Sequence, residues 1–316
     1  MNYFKNTLSV TSLVASSLLT GCMTQQIANT KHVDDAALKQ LSSTKQTPEQ
    51  ICSAATTAVK QGHEASLNFY TPLHLEQAAD NVEDGLEQIK SKETLNEGIK
   101  KCFKASKLIE NGLAMKPKIE SALKDSIDQL EMLKKVDSGK KFTDDIQDSA
   151  DDVVDIAKKI EAGKMNEAMQ DQAELIQDML EIEIEIVTEK NLTAVEAMLE
   201  RADDADADDL APKTFEKAEN ELESAHKFIQ SNYRKNKEVE NISSLAMRAA
   251  RHAYFVAKEV ETFKELKPDA AEEKVLYIES LLERINKKLS QEPIVGNSLY
   301  DQSTLISKQI DTALEL

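Results

Sequence analysis

From residue 47 onward, apolar side chains recur at steps of three and four, and anything that would break that rhythm is rare. Such spacing puts one apolar stripe on each of a series of α-helices, and a striped helix must bury its stripe against another element. Six Pro and eight Gly in 316 residues leave little material for turns, so long helices with short connections are expected. Thr47-Pro48-Glu49-Gln50 opens the first helix, over 48 to about 62: Thr suits the N-cap, Pro the first position, and Gln closes a capping box. Thr71-Pro72 repeats that start, and Leu75, Ala78 (or Ala79), Val82 and Leu86 follow on one face. Leu95, Ile99, Cys102, Ile109 and Leu113 mark the next helix. Lys116-Pro117 should break it, because proline has no backbone N–H to give. A third helix is expected over 118–136, through Leu123, Ile127, Leu130 and Leu133.

The next unit starts near Phe142 and turns at Ala162-Gly163. Its second helix carries Ala168, Ile176, Met179, Leu180, Val187, Val195 and Leu199. Ile182, Ile184 and Ile186 alternate as a strand would, but about thirty surrounding residues keep a helical period, so helix is expected throughout. Ala211-Pro212 opens another helix with Phe215, Ala218, Leu222 and Ala225. Its partner uses Ile242, Leu245, Ala249, His252 (or Ala253) and Val256. Lys267-Pro268 interrupts before Tyr277 (or Ile278), Leu281, Ile285 and Leu289. Pro293 and Gly296 then precede a short helix with Leu299, Ile306, Ile310 and Leu314.

Two stretches of this series match. Pro72 and Pro212 lie 140 positions apart, and at that offset Leu75 meets Phe215, Ala78 meets Ala218 and Val82 meets Leu222. At 143, Ile99 meets Ile242, Cys102 meets Leu245, Ser106 meets Ala249 and Leu113 meets Val256. Lys116-Pro117 and Lys267-Pro268 mark the same break. Two copies of a three-helix unit, over 71–136 and 211–289, with a helical hairpin between them, are therefore expected.

Composition decides what the surface can meet. A net charge of −18 argues against nucleic acid and against attraction to anionic lipid surfaces. Hydrophobic and charged fractions of 41% and 30% describe a folded chain.

The first twenty-two residues follow different rules. Lys5, an apolar run from Leu8 to Leu19, and small residues before Cys22 form a secretory signal too short to span a bilayer. Leu19-Thr20-Gly21-Cys22 resembles a bacterial lipobox. That resemblance implies cleavage after Gly21, acylation of Cys22 and anchoring in a lipid bilayer. Met23, in place of the Asp that resembles an inner-membrane retention signal, points to the outer membrane. The expected organisation is a signal over 1–21, a flexible tether over 22–46, and an N-terminal helical unit over 47–138. A middle hairpin over 139–205, a second unit over 206–290 and a terminal helix over 291–316 complete it.

The pattern Ala-Pro-x-x-[Leu/Phe]-x-x-Ala-x-x-x-Leu-x-x-Ala, read from Ala211, is similar to helical hairpins in a family of bacterial envelope lipoproteins of unknown function. The likeness covers residues 210–262 well, 70–115 less well and 142–190 faintly. Members of that family often precede a peptidoglycan-binding domain. None follows here, so that role does not transfer.

Candidate chemistry is sparse. Asp204-x-Asp206-x-Asp208 echoes a calcium loop, but Asp209 and Phe215 stand where that loop needs Gly and Glu. Glu223-x-x-His226 is half of a di-iron signature, without its second half. His32, His63, His74, His226 and His252 are scattered. No catalytic, cofactor-binding or metal residue is assigned, and no enzyme is expected. Cys52 and Cys102 remain once Cys22 carries lipid, and an even pair in an oxidising compartment is expected to form a disulfide. The whole reads as an all-α, elongated chain of antiparallel hairpins and three-helix units with an internal duplication. Its expected role is a non-enzymatic, periplasm-facing scaffold or adaptor for an envelope protein or for itself. A carrier or chaperone with an inter-helix groove is the alternative.

Overall fold

The computed structural model describes residues 28 and 33, residues 45–289 and residues 293–314. Among these, twelve α-helices form and no strand, in agreement with the all-α expectation. The chain divides into two units, residues 1–180 and 181–316, with the boundary inside one long helix.

In the first unit, α1 (Pro48–Glu64) begins as its sequence dictates. The Gln50 N–H donates to Thr47 Oγ1 at 3.3 Å, and the Thr47 N–H donates to Gln50 Oε1 at 3.0 Å. The one-turn α2 (Leu67–Tyr70) leads into α3 (Pro72–Gln88) and α4 (Leu95–Ala122), which pack as a hairpin. Helix α1 lies on both of them and closes a core that includes Ile51, Cys52, Ala55, Leu75, Ala78, Cys102 and Leu108. Val33, within the stretch expected as a tether, is helical and buried in that same core. The hairpin is tightest where Gly85 meets Gly98. A Cβ on Gly85 would fall 2.5 Å from Cys102 Sγ and 3.0 Å from the Gly98 carbonyl oxygen, closer than carbon tolerates.

The break expected at Lys116-Pro117 does not occur. Helix α4 runs through Pro117 and ends at Ala122. Proline costs the Leu113 carbonyl its donor, but both residues lie on the exposed side, where water can replace it. Lys116 bends back instead, and its Nζ donates to the Ala65 carbonyl at 2.9 Å. The third helix, α5, therefore starts later than expected (Lys124–Val136) and pairs with α6 (Thr143–Glu161), which also reaches α2 and α3. Gly163, at φ 81°, supplies the left-handed turn into α7 (Met165–Asp203). Lys159 pairs with Asp171 across that turn, and Gln172 Nε2 donates 3.0 Å to the Ala122 carbonyl at the end of α4. The isoleucines at 182, 184 and 186 are helical, as expected.

In the second unit, the far half of α7 is followed by the one-turn α8 (Ala207–Leu210). Helices α9 (Pro212–Asn232) and α10 (Asn236–Lys264) then form a hairpin, and α11 (Pro268–Leu289) pairs with α12 (Leu299–Leu314). Arg234, in the α9–α10 turn, donates from Nε at 3.1 Å and Nη2 at 2.6 Å to the two oxygens of Glu183, whose side chain is almost fully buried. A buried carboxylate held by a guanidinium fork ties that turn to α7.

The duplication is present in the two proline-opened hairpins and extends further back than its sequence suggests, while the third helices of the expected units, α5 and α11, pair with α6 and α12. Ser66 and Asp206 share a left-handed backbone (φ 59°, ψ 33° and φ 56°, ψ 34°), and Thr71 and Ala211 share an unusual one (φ −138°, ψ 59° and φ −139°, ψ 46°). Each repeat is a long helix, a single turn, then a hairpin opened by proline. The counterpart of α1 is the last part of α7. At the same offset of 140, Cys52 falls on Leu192, Ala55 on Val195, Val59 on Leu199 and Gly62 on Ala202. Met198, Leu199 and Ala202 close the second core with Phe215, Ala218, Ala250, Ala253 and Ala257.

The buried face of α10 also differs from expectation. Val239, Ser243, Ala246, Ala250, Ala253 and Ala257 are buried, whereas Leu245 is 40% exposed and His252 is exposed. Small residues let two helix axes approach closely, so the alanine stripe takes the hairpin seam and the larger side chains move to its flank.

Candidate functional site

Thr71 was expected to cap α3 with its hydroxyl. It makes no such bond; Glu161, the last residue of α6, takes the position instead. Its Oε2 accepts the Leu73 N–H at 2.9 Å and its Oε1 accepts the His74 N–H at 3.0 Å. His74 Nδ1 lies 2.6 Å from the same Oε1. The start of α3 is thereby fully accounted for. Pro72 has no N–H, Leu73 and His74 donate to Glu161, and Leu75 donates to the Thr71 carbonyl at 3.2 Å.

Both side chains of this pair have 0% exposure. The carboxylate charge is met by two backbone donors and by the positive end of the α3 dipole. Its contact with an oxygen assigns the proton to Nδ1, which leaves Nε2 as an acceptor. Nε2 and the Thr71 hydroxyl have no partner among the described residues. Gly112 gives them room, since a Cβ there would lie 2.9 Å from Thr71 Oγ1 and 3.3 Å from His74 Cβ. A carboxylate beside an imidazole is catalytic equipment in an open cleft. Here it is enclosed and its lone pairs are committed to donors that hold a helix, so in this arrangement it fastens α6 to α3. The second repeat has no equivalent, because Lys213 and Thr214 stand at the positions of Leu73 and His74.

Cys52 and Cys102 are joined by a disulfide with Cα atoms 5.0 Å apart, and both are fully buried between α1 and α4. Cys22 lies outside the described residues, as does His32. Glu223 pairs with Lys227, and His226 Nε2 lies 3.0 Å from Glu196 on the surface, so the two do not form a shared site. Among the described residues, no three potential metal ligands come together, and no helix is long and apolar enough to cross a membrane.

The charge is concentrated. Residues 143–232 hold 26 acidic and 8 basic side chains, which equals the whole net charge of −18. Burial and neighbouring carboxylates raise Asp152, Asp203 and Glu219 above their ordinary range, with Asp208, Asp204 and Asp206 acting on Asp203. The ionised forms are therefore disfavoured in the fold relative to the unfolded chain. Acidification from neutral pH relieves these groups, and the relief is complete once the pH reaches the ordinary carboxylate range. Asp203 also ends α7, where the helix dipole opposes a negative charge. Asp203→Asn is expected to stabilise the second unit at pH 7. Solvent screening keeps the gain to a few tenths of a kcal/mol. Denaturation at low and high salt checks it, because the gain should fade as salt screens the cluster.

The second accessible feature is apolar. Among the described residues, thirteen of the seventeen exposed large apolar side chains lie between positions 245 and 314. They include Phe255 and Phe263 on α10, Val275, Leu276 and Tyr277 on α11, and Tyr300 on α12. Sequence reading missed this concentration because each of these helices carries enough apolar residues for more than one stripe.

Comparison with known proteins returns no match: no family model, no curated protein and no solved structure is similar to this chain.

Proposed function

We propose that this chain is a non-enzymatic scaffold or adaptor, lipid-anchored through Cys22 to the outer membrane and facing the periplasm. The observation that carries the proposal is the gathering of exposed apolar side chains on the last three helices. Exposed apolar side chains concentrated in this way are what a helical protein offers to another protein. The lipobox resemblance supports the anchor, and the bridged Cys52 and Cys102 suit an oxidising compartment. Val33, already part of the first core, is eleven residues from Cys22, so the bilayer lies within about 40 Å of that core. Cys22→Ser is expected to release the protein from membranes or leave its signal uncleaved. A variant that fractionates and migrates like wild type overturns the anchor. Crosslinking in intact cells, with mass spectrometry of what is captured, tests the adaptor role: recovery of only the uncrosslinked monomer at every crosslinker length argues against it.

A further inference from the structure

Helix α11 carries Ala271, Val275, Ile278, Leu282, Ile285 and Leu289, at steps of 4, 3, 4, 3 and 4. These are the alternating core positions of a coiled coil, sustained for two and a half heptads. Half of the seam is open: Val275, Ile285 and Leu289 are 49%, 48% and 38% exposed, while Ala271, Ile278 and Leu282 are half-buried. Helix α12 meets α11 beside the seam, on the Glu279 and Asn286 side, where Gln302 Nε2 donates to Glu279 Oε1 at 2.7 Å.

The residues that flank the seam select its occupant. On one side stand Lys267, Lys274, Leu281 and Lys288; on the other stand Glu272, Glu279 and Asn286. In a parallel pair, each flanking residue faces the residue five positions later on the opposite flank of its partner. Two copies of α11 side by side would thus set Lys267 against Glu272 and Lys274 against Glu279. An antiparallel pair would set lysine flank against lysine flank and glutamate flank against glutamate flank. Lys274 also touches Glu259 at 3.3 Å, and Glu279 holds Gln302, but an ammonium has three donors and a carboxylate about four lone-pair sites. With five acidic and four basic residues, α11 itself is nearly neutral.

We propose that α11 is a self-association helix, through which two copies of this chain pair in parallel along the 271–289 seam. This deepens the scaffold reading by naming a second copy as one partner, and it rests on that reading alone, not on the anchor. The test uses the full chain, purified in mild detergent, so it reads the same whether or not lipid is attached. Sedimentation velocity at about 100 μM is expected to show a dimer. Ile278→Cys should crosslink to its own copy on mild oxidation, whereas Tyr277→Cys, on the outer face, should not. Lys274→Glu should weaken the dimer about tenfold by opposing like charges, and adding Glu279→Lys should restore it. Far-UV circular dichroism of each variant separates lost pairing from lost folding. A monomer at that concentration overturns the proposal. So does a folded double variant that stays dissociated, or crosslinking of Val275→Cys to Ile285→Cys in place of the Ile278→Cys product.

Discussion

Glu161→Ala is expected to destabilise the first unit by at least about 3 kcal/mol, because it orphans three buried donors at about 1–3 kcal/mol each. The argument rests on what is left behind. Leu73 N–H, His74 N–H and His74 Nδ1 all lose their acceptor, and none is exposed to water. An orphaned buried donor costs its full desolvation penalty, which exceeds the net worth of the bond it made. Alanine also leaves a void that the packed ends of α3 and α6 cannot easily close. Glu161→Gln keeps the volume and one acceptor oxygen but turns an amide donor toward the other donors, so a smaller loss of about 1–3 kcal/mol is expected. Amide hydrogen exchange at Leu73 and His74, read beside global denaturation, checks both values. Exchange that stays as slow as in wild type would show that another group caps α3.

Removing the Cys52–Cys102 bridge is expected to cost the first unit about 4 kcal/mol, the chain-entropy value for a loop of 50 residues. The bridge ties α1 to α4 across the first core, and both sulfurs are buried, so reduction requires that core to open. The second repeat manages without a crosslink. Leu192 stands at the position of Cys52 and is fully buried, whereas Leu245, which sequence spacing sets opposite Cys102, is 40% exposed. Leucine cannot simply be copied into the first repeat, because Gly85 brings α3 against Cys102 too closely for a larger side chain. Cys52→Ser with Cys102→Ser should therefore melt the first unit well before the second. Melting curves that coincide with and without reductant would show that packing alone supports the fold.

Much of the architecture was legible locally. A helix needs only its own period, its cap and its breaker, and those lie within a few residues of one another. Thr47 and Gln50 closed a capping box as written, Ala162-Gly163 turned, and the 140-residue offset between Pro72 and Pro212 reappeared as matching backbone angles. The cysteine pair also followed from counting, given an oxidising compartment.

What the sequence alone could not determine is which of several compatible partners each helix takes. Glu161 reads as an ordinary acidic residue at a helix end, and only the packing of α6 carries it to the start of α3, eighty-eight residues away. The second copy of α1 is hidden because it is fused into the 39 residues of α7, with no start signal of its own. Pro117 reads as a stop, yet lies where solvent can serve the carbonyl it orphans. On α10 the large residues looked like the core, but the alanines took it, because closer helix axes gain more contact than bulkier side chains held apart. Local signals set where helices begin and end. Tertiary packing decides which face is buried, since burial free energy belongs to a pair of surfaces and neither surface encodes it alone.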